Sequence, residues 1–202
     1  MMVVYFNYSV MDIYDGYKDD LTYFIEESNG IDYELKPQDF FSELLNTPVD
    51  TLYSYGNSNI GFTVGSKSAL GLGKVLATTI IRQYGRMSTI QIKVWNRIPK
   101  NVLVPIIIHE LAHVVGFLSN STEIDDSDEE IVAEFTTYLL SAKYGMLKDL
   151  FNKNGRFLIE LIPTLKPTTE KEMILYEKAK ERARFMFTDL FENWKLYSFK
   201  NI

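Results

Sequence analysis

The chain contains no cysteine. That absence excludes disulfides, thiolate metal sites and cysteine nucleophiles together, and it leaves histidine and carboxylate side chains as the available metal ligands. It also fits a reducing compartment. Long apolar runs are missing too. The most apolar stretch, residues 102–108, is far too short to span a bilayer. There is no run of Lys or Arg, and a net charge of −6 with a pI near 5.0 argues against a nucleic-acid-binding surface as the main function. Residues 1–10, MMVVYFNYSV, lack a basic start, a long apolar core and a small-residue cleavage site, so no signal peptide is expected. The expected localisation is cytoplasmic, with no membrane partner. No internal repeat, low-complexity tract or clear linker is visible.

What remains is an ordinary globular composition, 46% apolar and 24% charged, over 202 residues, enough for one core and at most an appended subdomain. We expect a catalytic domain over residues 1–145 and a C-terminal helical subdomain over 146–202 packed on it as one structural unit. The fold class expected is α+β. Residues 3–10 read as a strand, and a helix runs from Met11 to a stop at Asn29-Gly30. Pro37 opens a short helix carrying Phe40, Phe41, Leu44 and Leu45. Residues 51–55 and 60–64 read as strands of a hairpin around the turn-rich residues 56–59. Residues 66–84 read as a helix ended by Gly85, with Gly71 and Gly73 weakening its start.

Residues 88–95, STIQIKVW, alternate apolar and polar side chains as a half-exposed strand does. A helix over residues 101–118 follows, in which Pro105 is tolerable only in the first turn. After an acidic loop, residues 119–128, a further helix spans 129–144 and closes at Gly145. Thr169 with Glu172 resembles a capping box opening a long helix to about Trp194. Its Met173, Tyr176, Ala179, Ala183 and Met186 lie near one face and suit packing.

The chain has only two histidines, and both fall in His109-Glu110-Leu111-Ala112-His113. Residues four apart on a helix stand one turn above each other, so both imidazoles can reach one ion. Glu110 lies about 100° further round and can touch a water beside that ion rather than bind it. This pattern suits a zinc site with two nitrogen ligands, an open position and a base. The bland alternative is a pair of histidines packed in an amphipathic helix. With no third histidine and no cysteine, a further protein ligand has to be Asp or Glu. Asp125, Asp126, Asp128, Glu129, Glu130 and Glu134 are all near in sequence. Glu130 and Glu134 share a helix face, so one can bind the ion while the other accepts a ring N–H of a ligand histidine. Ser127 and Glu130 also form an S-x-x-E capping box, a competing use of Glu130 that would make Glu134 the ligand.

His109–His113 followed by Glu130-Ile131-Val132-Ala133-Glu134 resembles the gluzincin metallopeptidases, in which a downstream glutamate completes the zinc site. The second segment looks like the glutamate helix of integral-membrane prenyl-protein proteases and of the ImmA/IrrE-type peptidases. The resemblance covers residues 88–144 and implies a small, minigluzincin-like zincin fold. Such a fold has a short mixed sheet, an active-site helix, a glutamate helix and a C-terminal helical part. By position it implies His109, His113 and Glu130 as zinc ligands, Glu110 as general base, and Glu134 as the support of a ligand histidine. Glu134 departs from the ImmA/IrrE pattern, which usually has Asn there. The absence of membrane spans excludes the membrane protease itself, and the lack of a third histidine in the extended motif argues against metzincins.

The implied reaction is hydrolysis of peptide bonds in an intracellular protein or peptide by a metal-bound water with Glu110 as base. Because no spare histidine exists, a tyrosine is the expected oxyanion donor, with Tyr138 and Tyr144 as candidates. The 88–95 strand resembles the strand that receives an extended peptide substrate in such enzymes, although its alternation equally suits an ordinary amphipathic strand. The rival from another class is a non-catalytic binding or scaffold protein with a structural or degenerate metal site.

Overall fold

Val94, Ile92, Ile90 and Ser88 are buried while Thr89 and Met87 face outward, and this two-residue period is what makes residues 87–95 a strand with one face in the core. The structure, a computed structural model, describes residues 23, 26–28, 51–55, 57–72, 76–98, 100–119, 125–143, 166–186 and 195–198. The expected strand at 3–10, the helix from Met11 apart from residues 23 and 26–28, and the helix at Pro37 lie outside them.

Five strands form one mixed sheet: β1 (Thr51–Tyr55), β2 (Ser58–Gly65), β3 (Ala77–Tyr84), β4 (Met87–Trp95) and β5 (Lys195–Ser198), in the order β3-β4-β2-β1-β5. β1 and β2 are the expected hairpin, with β2 starting two residues earlier, at Ser58, so that Tyr55 pairs with Ser58. β2 and β4 run parallel, with Ile60 beside Ile90 and Phe62 beside Ile92; all four side chains are buried on the same face. β5 pairs with β1.

Residues 66–84 are not one helix. Ser66 caps a single turn, α1 (Lys67–Leu70), by accepting the Ala69 N–H, and Gly71 at φ 67° ends it in the left-handed conformation. Residues 77–84 then form β3, antiparallel to β4. Thr78, Thr79, Ile80 and Ile81 are consecutive β-branched residues, which favour a pleated strand over a helix. Gly85 is therefore no helix stop. It is the first residue of the two-residue loop joining Tyr84 to Met87, and its φ of 62° matches the turns that suit twisted hairpins.

Three longer helices follow, α2 (Lys100–Leu118), α3 (Asp126–Lys143) and α4 (Glu170–Phe185), and residues 23 and 26–28 are helical as well. Pro105 stands in the second turn of α2, so the Asn101 carbonyl lacks its intrahelical donor. Residues 105–108, 111, 112, 114 and 115 of α2 and every residue from 132 to 142 of α3 are buried. Helices buried on nearly all sides belong to the centre of a core. Phe135 of α3 meets Tyr176 of α4 edge to face, with ring centroids 5.2 Å apart. Burying one such side chain contributes about 1.5–3 kcal/mol.

The capping box of α4 is present in both directions: Thr169 Oγ1 accepts the Glu172 N–H, and Glu172 Oε2 accepts the Thr169 N–H. The helix is described from Glu170 to Phe185, the expected continuation to about Trp194 lies outside the described residues, and residues 195–198 are strand β5. Of the expected packing stripe, Tyr176, Ala179, Ala183 and Met186 are buried, whereas Met173 is exposed.

The chain divides into two compact units, one holding α2, α3 and α4 and the other holding the sheet with α1. This division crosses the expected boundary at 145/146, since α4 belongs with α2 and α3. Among the described residues no helix is long and apolar enough to cross a membrane.

Candidate metal centre

The geometry of the site begins with where α3 starts. Asp125, immediately before it, accepts the Asp128 N–H at 2.9 Å through Oδ1, and its own carbonyl accepts the Glu129 N–H. Asp125 is thus the cap, Ser127 already lies inside the first turn, and the capping box that would have engaged Glu130 does not form. Glu129 and Glu130 are left free to turn toward α2.

There the histidines stand as their spacing requires. His109 Nε2 and His113 Nε2 lie 3.2 Å apart, the rings nearly perpendicular at 87°. Glu130 Oε2 lies 3.4 Å from His109 Nε2 and 3.5 Å from His113 Nε2. Among the described residues these three side chains are the group whose donor atoms converge tightly enough to hold a metal. For a tetrahedral ion the distance between two ligand atoms is about 1.63 bond lengths. Zinc bonds of about 2.0–2.1 Å to nitrogen and 2.0–2.2 Å to oxygen therefore require edges of about 3.3–3.5 Å. The observed triangle fits to about 0.1 Å. Calcium, with longer bonds, allows similar edges but takes oxygen ligands, and two imidazoles speak against it.

A cation would also satisfy the donor atoms. Glu130 Oε2 is buried without a hydrogen-bond partner, and its distances to the two imidazoles are too long to count as good hydrogen bonds. Two ring nitrogens facing each other at 3.2 Å repel unless a proton or a cation lies between them. A proton has reason to stay there in the absence of metal. Burial disfavours charge on His113, but Glu129 and Glu130 beside it, aided by the charge of Glu110, outweigh burial and push its pKa up to about 9. Burial likewise opposes ionisation of Glu130, and the two imidazoles overcome it and hold its carboxyl well below the usual range.

Glu110 is buried, 7% exposed, and stands outside the three converging donors. Glu134 is fully buried and accepts a hydrogen bond from the Tyr138 hydroxyl, one turn along α3. The carboxylate expected at Glu134 to support a ligand histidine is found instead at Glu129, whose Oε1 lies 3.3 Å from His113 Nδ1. His109 Nδ1 is buried with no hydrogen-bond partner among the described residues. Tyr138 does not suit the expected role of oxyanion donor. Its one hydroxyl proton is committed to Glu134, and the residue is 1% exposed. Tyr144 lies outside the described residues. Strand β4 does not offer an edge for an extended peptide, because β3 and β2 pair along its two sides.

Two residues of this neighbourhood were not singled out from sequence. Arg182 of α4 is buried and grips Glu129 with both arms, at 2.7 and 2.8 Å. Gly116 of α2 lies where an added Cβ would come within 2.6 Å of Glu129 Oε1 and 2.7 Å of Arg182 Nη2. The weak signals the sequence holds for each by itself are a charged residue set into the Ala179–Ala183 stripe and a glycine inside a helix where alanine is about 1 kcal/mol better; neither shows that the two meet. No known protein family, curated protein or solved structure matches the chain.

Proposed function

We propose that this protein is a zinc-dependent metallopeptidase of gluzincin type with a zincin-like active-site unit. In this reading His109, His113 and Glu130 hold the ion and Glu110 acts as general base. The observation that carries the reading is the triangle of 3.2, 3.4 and 3.5 Å between two imidazole nitrogens and one carboxylate oxygen, each supplied by α2 or α3. Three protein ligands, with no fourth among the described residues, match the stoichiometry of catalytic zinc, whereas structural zinc is usually closed by four and rich in cysteine. When bound, zinc lowers the pKa of a water and polarises a carbonyl.

The chain's own residues supply the proton handling. Glu110 follows His109 in the chain and stands outside the three converging donors; in this reading it takes a proton from the attacking water. It then delivers that proton to the leaving amine nitrogen, so its carboxylate is regenerated in each cycle. The substrate in this reading is a protein or peptide of the same compartment, which we take to be the cytoplasm.

The test compares wild type with Glu110→Gln, both purified without a His-tag. We expect about one zinc per chain in each by elemental analysis, removed by chelator. Hydrolysis, read by mass spectrometry of a host lysate, should occur only with wild type, a loss of about 10²–10⁴-fold for a general base. Chain that stays metal-free in zinc-containing buffer would refute the centre. Undiminished turnover in Glu110→Gln would remove that residue as base, and zinc with no hydrolysis by wild type would favour the non-catalytic binding protein.

A further inference from the structure

We propose that Arg182 is a positioning residue for the metal centre, acting through Glu129 on the ring of His113, with Gly116 leaving the space in which that pair stands. The inference rests on reading His109, His113 and Glu130 as a metal centre, and it extends that centre onto α4.

The contacts form one continuous series. Arg182 Nη1 donates to Glu129 Oε1 at 2.7 Å and Nη2 to Oε2 at 2.8 Å, the parallel two-bond arrangement that fixes the plane of a carboxylate. The same Oε1 lies 3.3 Å from His113 Nδ1. The opposite nitrogen of that ring, Nε2, is the one 3.2 Å from His109 and 3.5 Å from Glu130. A neutral imidazole has one N–H. A carboxylate held beside Nδ1 draws the proton to that nitrogen, which leaves the Nε2 lone pair directed at the ion. Glutamate alone has several rotatable bonds and would hold this position loosely. Arg182, with a side chain 4% exposed, removes that freedom and balances the carboxylate's charge.

Gly116 provides an independent sign that the arrangement is built in. It lies three residues after His113, on the same side of α2. Its Cβ, were there one, would meet Glu129 Oε1 at 2.6 Å, Arg182 Nη2 at 2.7 Å and Arg182 Cζ at 2.9 Å. A glycine inside a helix is destabilising relative to alanine. Here it keeps open the space that the carboxylate and the guanidinium share.

A bare structural tie between α3 and α4 would use the same ion pair, so the test must read the ring as well as the fold. Untagged full-length wild type, Arg182→Gln, Arg182→Lys and Glu129→Gln are titrated with zinc against a chromophoric chelator. Their imidazoles are followed by long-range nitrogen–proton NMR, with and without zinc. The chain has only two histidines, so both rings are resolvable. We expect Arg182→Gln and Glu129→Gln to weaken zinc binding by about 10–100-fold, and Arg182→Lys to fall between these and wild type. We also expect His113, in its neutral zinc-free form, to carry its proton on Nδ1 in wild type and to lose that preference in the two glutamine variants. Arg182→Lys and Glu129→Gln keep the test decisive if Arg182→Gln does not fold. If the variants bind zinc as tightly as wild type with unchanged imidazole spectra, the positioning role is wrong and the metal centre stands. Wild type that binds no zinc overturns both.

Discussion

Glu130 and Glu134 are the same residue type one turn apart on the same helix, yet they occupy opposite circumstances. Glu130, in the first turns of α3, has a side chain 33% exposed and directs one oxygen at two imidazoles. Glu134 is fully buried, and Tyr138 donates to it. The first carboxylate is compensated by groups on another helix and the second by a residue of its own helix. A buried charge needs a partner wherever it lies, but only a partner set with a spare lone pair direction makes a ligand. Helical spacing put both residues on one face. The start of α3 at Asp125 and the position of α2 decided which of them faces the histidines.

The largest effect that would break this comparison is expected from alanine at each position. Glu130→Ala should weaken zinc binding by more than about 100-fold, beyond the usual cost of losing a supporting residue, with the melting temperature of the metal-free protein little changed. Glu134→Ala should do the reverse. It leaves the buried Tyr138 hydroxyl without its acceptor and should cost about 1–3 kcal/mol of stability by denaturant unfolding, with zinc affinity nearly intact. Equal loss of zinc in both variants would erase the distinction.

A smaller effect separates the two regions by pH. His113 must be neutral to bind metal, and its pKa is pushed up to about 9, so zinc must displace a proton below that value. Apparent affinity should fall about tenfold per pH unit as pH drops below about 9, following one displaced proton. Glu130, held low by the imidazoles, stays ionised over this range and adds no second proton. In the metal-free protein the sign inverts. The folded pKa lies above the ordinary 6.5, so the stability contributed by protonated His113 is full below about 6.5 and lost as pH rises through about 9. Thermal melts from pH 6.5 to 9 should therefore fall with rising pH for this group without zinc and stay nearly level in saturating zinc, where the rising affinity cancels that loss. Parallel drift would show that His113 does not face the ion.

The smallest expected effect concerns Tyr138. If its hydroxyl serves only Glu134, Tyr138→Phe should lower stability by about 1–3 kcal/mol and leave peptide hydrolysis within a few-fold of wild type. A loss of 10²–10³-fold in turnover, as for a missing oxyanion donor, would return Tyr138 to the reaction.

Much of this was legible in one dimension. The alternation of residues 88–95, the capping box at Thr169 and Glu172, and the four-residue spacing of His109 and His113 each reflect rules within a single element, and the element forms accordingly. The failures have a common cause. Residues 66–84 carry apolar spacing compatible with a helix, but strand pairing with β4 and a run of β-branched side chains prevailed. The 88–95 strand was legible as a strand, while its lack of a free edge depends on β2 and β3, which pattern alone cannot place. Glu129 and Arg182 meet across 53 residues of sequence, and nothing local announces such a pair.

The sequence by itself determined that any metal here is bound by histidine and carboxylate, that both histidines share one helical face, and that an acidic helix follows them, because composition and helical period are properties of the chain alone. Tertiary structure alone decided that Glu130 rather than Glu134 meets the imidazoles, that Glu129 supports His113, and that Arg182 reaches across from α4. Those outcomes depend on how α2, α3 and α4 pack. A shift of one helical turn at their contact would exchange one carboxylate for another without altering a single residue.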